Sequence, residues 1–262
     1  MKNVLVTGAA GGMGGAICRR LAGEGFNVFA LDIKPVDIPG VKSFYCDVTD
    51  AQSVENAKKE ILKHTEKLDC MVLAAGIYNL DSLVEIDEKS FTKIFNINLF
   101  GAYRMNRAFT PVMNKGGRIA IITSELAPLD PLPFTGIYAV TKAALEKYAH
   151  SLRSELALRD IKVIMIRPGA VKTGLLNVST AALDRFCEKT EYYRLNAARF
   201  KKIVDSVETR SVPPEKIAGL VSRAFASRHP RYVYNINRNF LLKLLSALPD
   251  HMQQAILKGI LK

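Results

Sequence analysis

Several features that would settle the class of this chain at once are missing. No apolar run approaches the ~20 residues needed to span a bilayer. The four cysteines, Cys18, Cys46, Cys70 and Cys187, show no short pairing, and the four histidines are scattered. Disulfide frameworks and zinc sites need tighter spacing, so reduced, mostly buried thiols and no metal are expected. Internal repeats, low-complexity tracts and composition-marked linkers are lacking too. One domain over residues 1–236, followed by an extension over 237–262, is therefore the expected organisation. The opening "MKNVLVTGAAGG" lacks the long apolar core of a secretory leader, which makes a cytoplasmic location the expectation.

Acidic residues are scarce at one end only. Residues 1–184 carry 22 Lys and Arg against 19 Asp and Glu, whereas residues 185–262 carry 15 against 6. The C-terminal third thus holds +9 of the net +12. Nucleic acid, an anionic membrane surface, an acidic substrate or plain solubility could each account for such a balance. No nucleic-acid recognition motif or aromatic-interleaved basic strand accompanies the charge, so no nucleic-acid partner is expected.

What is present is alternation. With 48% hydrophobic and 24% charged residues, the composition is that of a soluble globular protein. Short β-rich apolar runs at 3–6, 27–31, 41–46, 70–75, 118–123 and 162–167 read as buried strands, with 231–236 as a seventh candidate. Helical patterns at 13–24, 51–65, 89–114, 138–158 and 213–227 fall between them. This order predicts an α/β fold of the Rossmann type, a doubly wound parallel sheet of about seven strands with helices on both faces. Residues 170–211 break the rhythm after the sixth strand, where such folds carry their ligand crevice, and read as a substrate lid.

The first strand runs into "TGAAGGMG", with Gly8, Gly12 and Gly14 where a strand turns sharply into a helix. Missing side chains there let the backbone approach a pyrophosphate, whose charge meets free amides at the helix start. Asp32 closes the next strand, 24 residues after Gly8. A carboxylate at that place can accept hydrogen bonds from both adenosine ribose hydroxyls and would repel a 2′-phosphate, which favours NAD over NADP. Tyr138 and Lys142, four residues apart, share one face of a helix. Taken alone the pair reads as ordinary surface decoration. Ser124, however, ends the strand before that helix, so all three can converge at the carboxyl edge of the sheet.

These motifs resemble the short-chain dehydrogenases/reductases, in their shorter single-domain subtype, over about residues 2–234. TGxxxGxG is Thr7 to Gly14, and Asp47-Val48 after the third strand matches the adenine-contacting pair. Asn98 in "FNINLFG", Ser124, YxxxK at Tyr138 to Lys142, and the P-G-x-V-x-T run from Pro168 to Thr173 follow in the family's order. The run N-N-A-G is here "LAAG", Leu73 to Gly76. Ala74 therefore keeps only a main-chain cofactor contact, and some sheet support is expected to be lost. Ser124 also lies 14 residues before Tyr138, one more than usual, which puts Glu125 in the customary register. An ionised Glu125 cannot donate a hydrogen bond, so Ser124 is the expected catalytic residue and the following loop is read as longer by one.

The resemblance implies an NAD(H)-dependent oxidoreductase that interconverts a secondary alcohol and a ketone. Tyr138 would be the acid/base, its pKa lowered by Lys142 and the oxidised nicotinamide, and Ser124 would hold the reacting oxygen. Lys142 would also bind the nicotinamide ribose, and Asn98 a water linking Lys142 to solvent. Thr173, the Val171 backbone, Pro168 and Gly169 would border the carboxamide, with Gly76 along the cofactor and Met13 beneath the ring. The apolar lid (Leu175, Leu176, Phe186, Tyr192, Tyr193, Leu195, Phe200) suggests a hydrophobic steroid, retinoid or acyl-type substrate. A homodimer or homotetramer is implied as well. The tail over 237–262 reads as a membrane-surface helix, a subunit contact or a cover for the substrate mouth. The alternatives are an NADPH-dependent reductase of a small polar carbonyl or 3-oxoacyl thioester, and a catalytically silent NAD-binding regulatory module.

Overall fold

The computed structural model describes residues 1–208 and 210–262, without the side chains of residues 175–181, 207 and 208. Among the described residues, seven strands form one sheet: β1 (Asn3–Thr7), β2 (Asn27–Asp32), β3 (Val41–Tyr45), β4 (Leu68–Leu73), β5 (Met113–Ile122), β6 (Lys162–Pro168) and β7 (Val233–Ile236). Their order is β3-β2-β1-β4-β5-β6-β7, and every neighbouring pair is parallel. The helices are α1 (Gly12–Gly23), α2 (Ala51–Leu62), α3 (Glu88–Phe95), α4 (Gly101–Phe109), α5 (Gly136–Ala157), α6 (Gly174–Lys189), α7 (Arg194–Glu208), α8 (Pro214–Ala226), α9 (Phe240–Leu245) and α10 (Asp250–Leu261). Among the described residues, no helix is long and apolar enough to cross a membrane.

Side-chain alternation along the strands divides the core into two layers. Leu5, Phe29, Met71 and Ile121 face Val54 and Ile61 of α2, Phe109 of α4 and Leu145 of α5. Val4, Val6, Val28 and Ile164 face Ile17 and Leu21 of α1 and Val221 and Phe225 of α8. Strands sandwiched this way must be apolar on both sides, which is why the central runs show no polar alternation. The edge strands differ from the expectation of burial. Lys42, Ser43 and Tyr45 of β3 are exposed and β7 is half-buried, because an edge strand has a neighbour on one side only.

Two boundaries depart from the sequence reading. β5 begins at Met113, not 118, and crosses Gly116, whose φ of 77° opens an irregularity in its pairing with β4. The helical stretch expected over 89–114 is divided. α3 passes into a π-helical turn at Asn96–Phe100, then α4, and ends in a 3₁₀ turn at Thr110–Val112. Pro111 has no N–H to continue the ladder, so the chain leaves the helix there and enters β5.

Behind the carboxyl edge, α5 is fastened to β6 by a mostly buried ion pair. Arg167 donates from Nε to Glu146 Oε1 at 2.7 Å and from Nη2 to Oε2 at 2.6 Å, and Thr123 Oγ1 donates to the same carboxylate at 3.0 Å. Removing one partner strands the other charge away from water. Arg167→Met is expected to lower the unfolding free energy by about 3 kcal/mol. Equilibrium urea denaturation checks this, and an unchanged midpoint would contradict it.

Candidate active site

The chain runs outward from β1 to β2 and β3, then returns to place β4 on the other side of β1. The crossovers diverge at that reversal and leave a crevice at the carboxyl ends. It has a volume of about 1110 Å³ and is bordered by the glycine turn, Asp32, Asp47, Val48 and the segment after β4. Two glycines in the turn are required sterically. Gly8 has φ 66°, and a Cβ there would lie 2.8 Å from the Ala75 backbone; at Gly14 a Cβ would lie 2.1 Å from the Gly8 carbonyl oxygen. Thr7 Oγ1 accepts from the amides of Ala74 and Ala75, each at 3.1 Å. The sheet support expected to vanish with an asparagine at position 74 is thus carried by a threonine hydroxyl from β1.

Asp32 stands at the tip of β2. Its Oδ2 accepts from the Ala10 amide and its Oδ1 from the Lys34 amide, both at 3.0 Å, so the turn itself holds the carboxylate at the crevice. Asp47 Oδ1 accepts from the amide and hydroxyl of Thr49, which shapes the bend presenting Val48. A backbone cradle that a Cβ would fill, a helix N-terminus and an aimed carboxylate fit an adenine dinucleotide. Gly12 is packed against Thr173, and Thr173 lies at the far end of the same crevice.

A second cavity of about 610 Å³ adjoins the first. Met13, Ala74, Gly76, Ile77 and Thr173 border both. Ser124, Tyr138 and Lys142 are on its wall, with Pro168, Gly169 and Val171 beside them. α5 begins at Gly136, so Tyr138 and Lys142 occupy its first two turns. Ser124 stands near enough to the Tyr138 side chain to draw its pKa down, so the longer loop after β5 does not carry it out of reach. Ser124 Oγ also accepts from the Leu126 amide at 3.2 Å. Within that loop Phe134 takes φ 66°, the left-handed region disfavoured for a bulky residue. Its ring is held by Phe186, Tyr193 and Phe200.

Lys142 Nζ donates to the Ile122 carbonyl at 3.1 Å and stands 5.7 Å from the centre of the Tyr138 ring. Burial pushes its pKa from 10.5 down to about 8. Burial likewise pushes Tyr138 from 10.0 up to about 12, with Ser124 pulling it partway back. In the chain without a dinucleotide the Tyr138 phenol is therefore hard to ionise, because removing the phenolate from water outweighs the Ser124 hydroxyl. Asn98, in the π-helical turn, accepts from the Ile77 amide at 2.8 Å and donates to the Ile77 carbonyl and to Thr141 Oγ1. Its side chain clamps the segment after β4 onto α5, close to Lys142 across Gly76.

The predicted lid behaves unevenly. α6 and α7 are joined by an ion pair between Lys201 and Asp184. Phe186 is buried against Phe134, Phe200 lines the cavity, and Tyr192 and Leu195 are exposed. Leu175 and Leu176 lie outside the described residues. Among the described residues, the tail also walls the cavity, through Leu241, Leu242 and Leu245 of α9 and Ile256, Leu257 and Leu261 of α10. Two residues near the site escaped the sequence reading. Tyr78 packs edge-on against Tyr138 at 4.4 Å, and its place just after Gly76 at the carboxyl end of β4 was an available signal. Glu125, read only as a register alternative, is buried and accepts from the Asn239 amide at 2.6 Å. It ties the loop after β5 to the start of α9, and burial raises its pKa. Nothing local in the sequence joins positions 125 and 239.

A Rossmann-type sheet, a dinucleotide crevice and a Ser-Tyr-Lys cluster where that crevice meets an apolar cavity define a class: pyridine-nucleotide oxidoreductases acting on a CH–OH or carbonyl group. The short chain dehydrogenase family model matches residues 2–184, and the chain belongs to that family. It is 28% identical to a 3-ketodihydrosphingosine reductase of Bacteroides thetaiotaomicron, over 97% of this chain and 96% of the other. An NADPH-dependent 1-acyldihydroxyacetone phosphate reductase of Schizosaccharomyces pombe is 31% identical, over 88% and 78%. A solved short-chain dehydrogenase from Streptomyces avermitilis superposes with a TM-score of 0.76 at 22% identity, over 99% and 93%, which supports the fold.

The lowered pKa of Lys142 has a signed consequence for stability. Between about 8 and the ordinary 10.5, the unfolded chain binds a proton that the folded chain does not. Raising the pH through that window therefore stabilises the fold, and the contribution is lost as pH falls through 8. Lys142→Met removes it. The unfolding free energy of the native chain is expected to gain on that of the variant between about pH 7.5 and 9.5, measured in urea. A pH-independent difference would contradict the burial.

Proposed function

We propose that this chain is an NAD(H)-dependent oxidoreductase interconverting a secondary alcohol and a ketone on a hydrophobic substrate. The observation that carries the reading is the meeting of two spaces. The dinucleotide crevice and an apolar cavity share Met13, Gly76 and Thr173, and Tyr138, Ser124 and Lys142 line the cavity beside them. When bound, a dinucleotide would supply or take up the hydride, and its oxidised form would add a positive charge that favours the Tyr138 phenolate. Tyr138 passes the proton to or from the substrate oxygen. Ser124 donates a hydrogen bond to that oxygen as charge develops. Lys142, anchored on Ile122, holds the nicotinamide ribose, while Asn98 keeps a water beside it. Thr173 and the Val171 backbone orient the carboxamide.

The hydrophobic substrate class is supported by the leucine and isoleucine walls contributed by α9 and α10. The two relatives described above, named for 3-ketodihydrosphingosine and 1-acyldihydroxyacetone phosphate, favour an acyl-type ketone within that class. NAD over NADP rests on Asp32, whose carboxylate the Ala10 amide holds where a 2′-phosphate would sit. The relative named NADPH-dependent is the counterweight. A homodimer or homotetramer is supported by the exposed Phe100, Tyr103 and Val140 around α4 and α5.

Tyr138→Phe is expected to lower kcat for an apolar ketone by at least about 10³-fold with NADH affinity unchanged, and Ser124→Ala by about 10²-fold. Stopped-flow turnover with fluorescence titration of NADH checks both, and normal turnover in the phenylalanine variant would sink the assignment. For the cofactor, kcat/KM with NADH should exceed that with NADPH by at least about tenfold. Asp32→Ser should close the gap, since it removes the charge facing a 2′-phosphate.

A further inference from the structure

The two tail helices are apolar on both sides. Leu242 and Leu245 of α9 and Leu257 and Leu261 of α10 point into the cavity. Phe240 (71% exposed), on α9, and Met252 (43%), on α10, face water and do not border it. Leu241 (66%), Leu244 (52%) and Ile260 (52%) do both, lining the cavity while exposed, so the mouth opens within the apolar patch itself. Exposed apolar side chains gathered around a cavity mouth and flanked by cations mark a surface that something covers. The charge beside the patch identifies the cover. Lys243 and Lys258 are exposed on these two helices and Lys262 just beyond α10, and Asp250 is the helices' single acidic residue.

We propose that α9 and α10 dock on an anionic lipid bilayer, with Phe240 and Met252 entering the headgroup–acyl boundary and the lysines meeting acidic headgroups. The cavity mouth then opens into lipid, and a membrane-dissolved substrate reaches Tyr138 without crossing water. This rests on the reading of a hydrophobic ketone or alcohol as substrate. Both helices are too short to span, Phe240–Leu245 and Asp250–Leu261, so the chain lies on the surface rather than through it. The Glu125–Asn239 hydrogen bond gives the docked segment a direct mechanical link to the loop that carries Ser124.

The test is flotation of the full chain with phosphatidylglycerol–phosphatidylcholine vesicles and with phosphatidylcholine alone. Binding to the anionic vesicles should be about tenfold stronger and should weaken as salt is raised. The double variant Phe240→Ser, Met252→Ser should stay in solution. It should keep native turnover on a short water-soluble ketone and lose about tenfold in kcat/KM for a long-chain ketone embedded in vesicles. Native protein that fails to float, or a variant that floats equally well, overturns the proposal. So does light scattering that shows the variant dissociating an oligomer, because the patch is then a subunit contact. Flotation without turnover on any ketone would instead refute the substrate reading and leave the docking intact, so the two failures are separable.

Discussion

The parallel pairing of β1 with β4 is the constraint on which the rest of this molecule depends. The chain builds outward from β1 through β2 to β3, then must cross back to reach the other side of β1. With right-handed crossovers, that reversal sends successive helices to opposite faces and parts them at the carboxyl edge. The glycine turn, the Asp32 tip and the segment after β4 all border the gap so created. Thr7 fixes its width by holding the Ala74 and Ala75 amides from the end of β1. Gly8 tolerates no side chain because the two segments are drawn this close, and Gly14 none because the turn folds back onto the Gly8 carbonyl.

Burial then governs the chemistry. Tyr138 and Lys142 sit in the first turns of a helix whose later turns are anchored by Glu146 and Arg167 against β6. Withdrawn from water, the phenol holds its proton more tightly and the ammonium more loosely than either would on a surface. A buried titratable group held in its neutral form responds strongly to any charge brought next to it, because the surroundings screen so little. The arrangement couples protonation of the tyrosine to the charge of whatever occupies the crevice.

The central strands were legible because buried parallel strands must be apolar on both faces, and the glycine turn because pyrophosphate-sized gaps admit no Cβ. Tyr138, Lys142 and Asp32 were legible for the same kind of reason, since their spacing ties them to a helix face and a strand end. Other features were not. The irregular start of β5 around Gly116 and the π-helical turn at Asn98 depend on what each segment packs against, not on its own composition. Lid residues looked equivalent in the sequence, yet Phe186 is buried and Leu195 faces water. Their fates are set by Phe134 in the loop before α5, more than fifty residues away.

The sequence by itself determined the parallel α/β architecture, the dinucleotide crevice and the residues of the Ser-Tyr-Lys cluster. Each rests on local periodicity or on a short motif whose steric and charge requirements act within one turn of chain. Only the tertiary structure decided that Ser124 reaches Tyr138 across its longer loop. It also decided that Glu125 turns away to hold Asn239, and that the tail helices help wall the apolar cavity. The Glu125–Asn239 contact joins positions 114 residues apart. Such contacts are selected by which surfaces remain uncovered once the sheet and its helices have packed, and no local pattern encodes that.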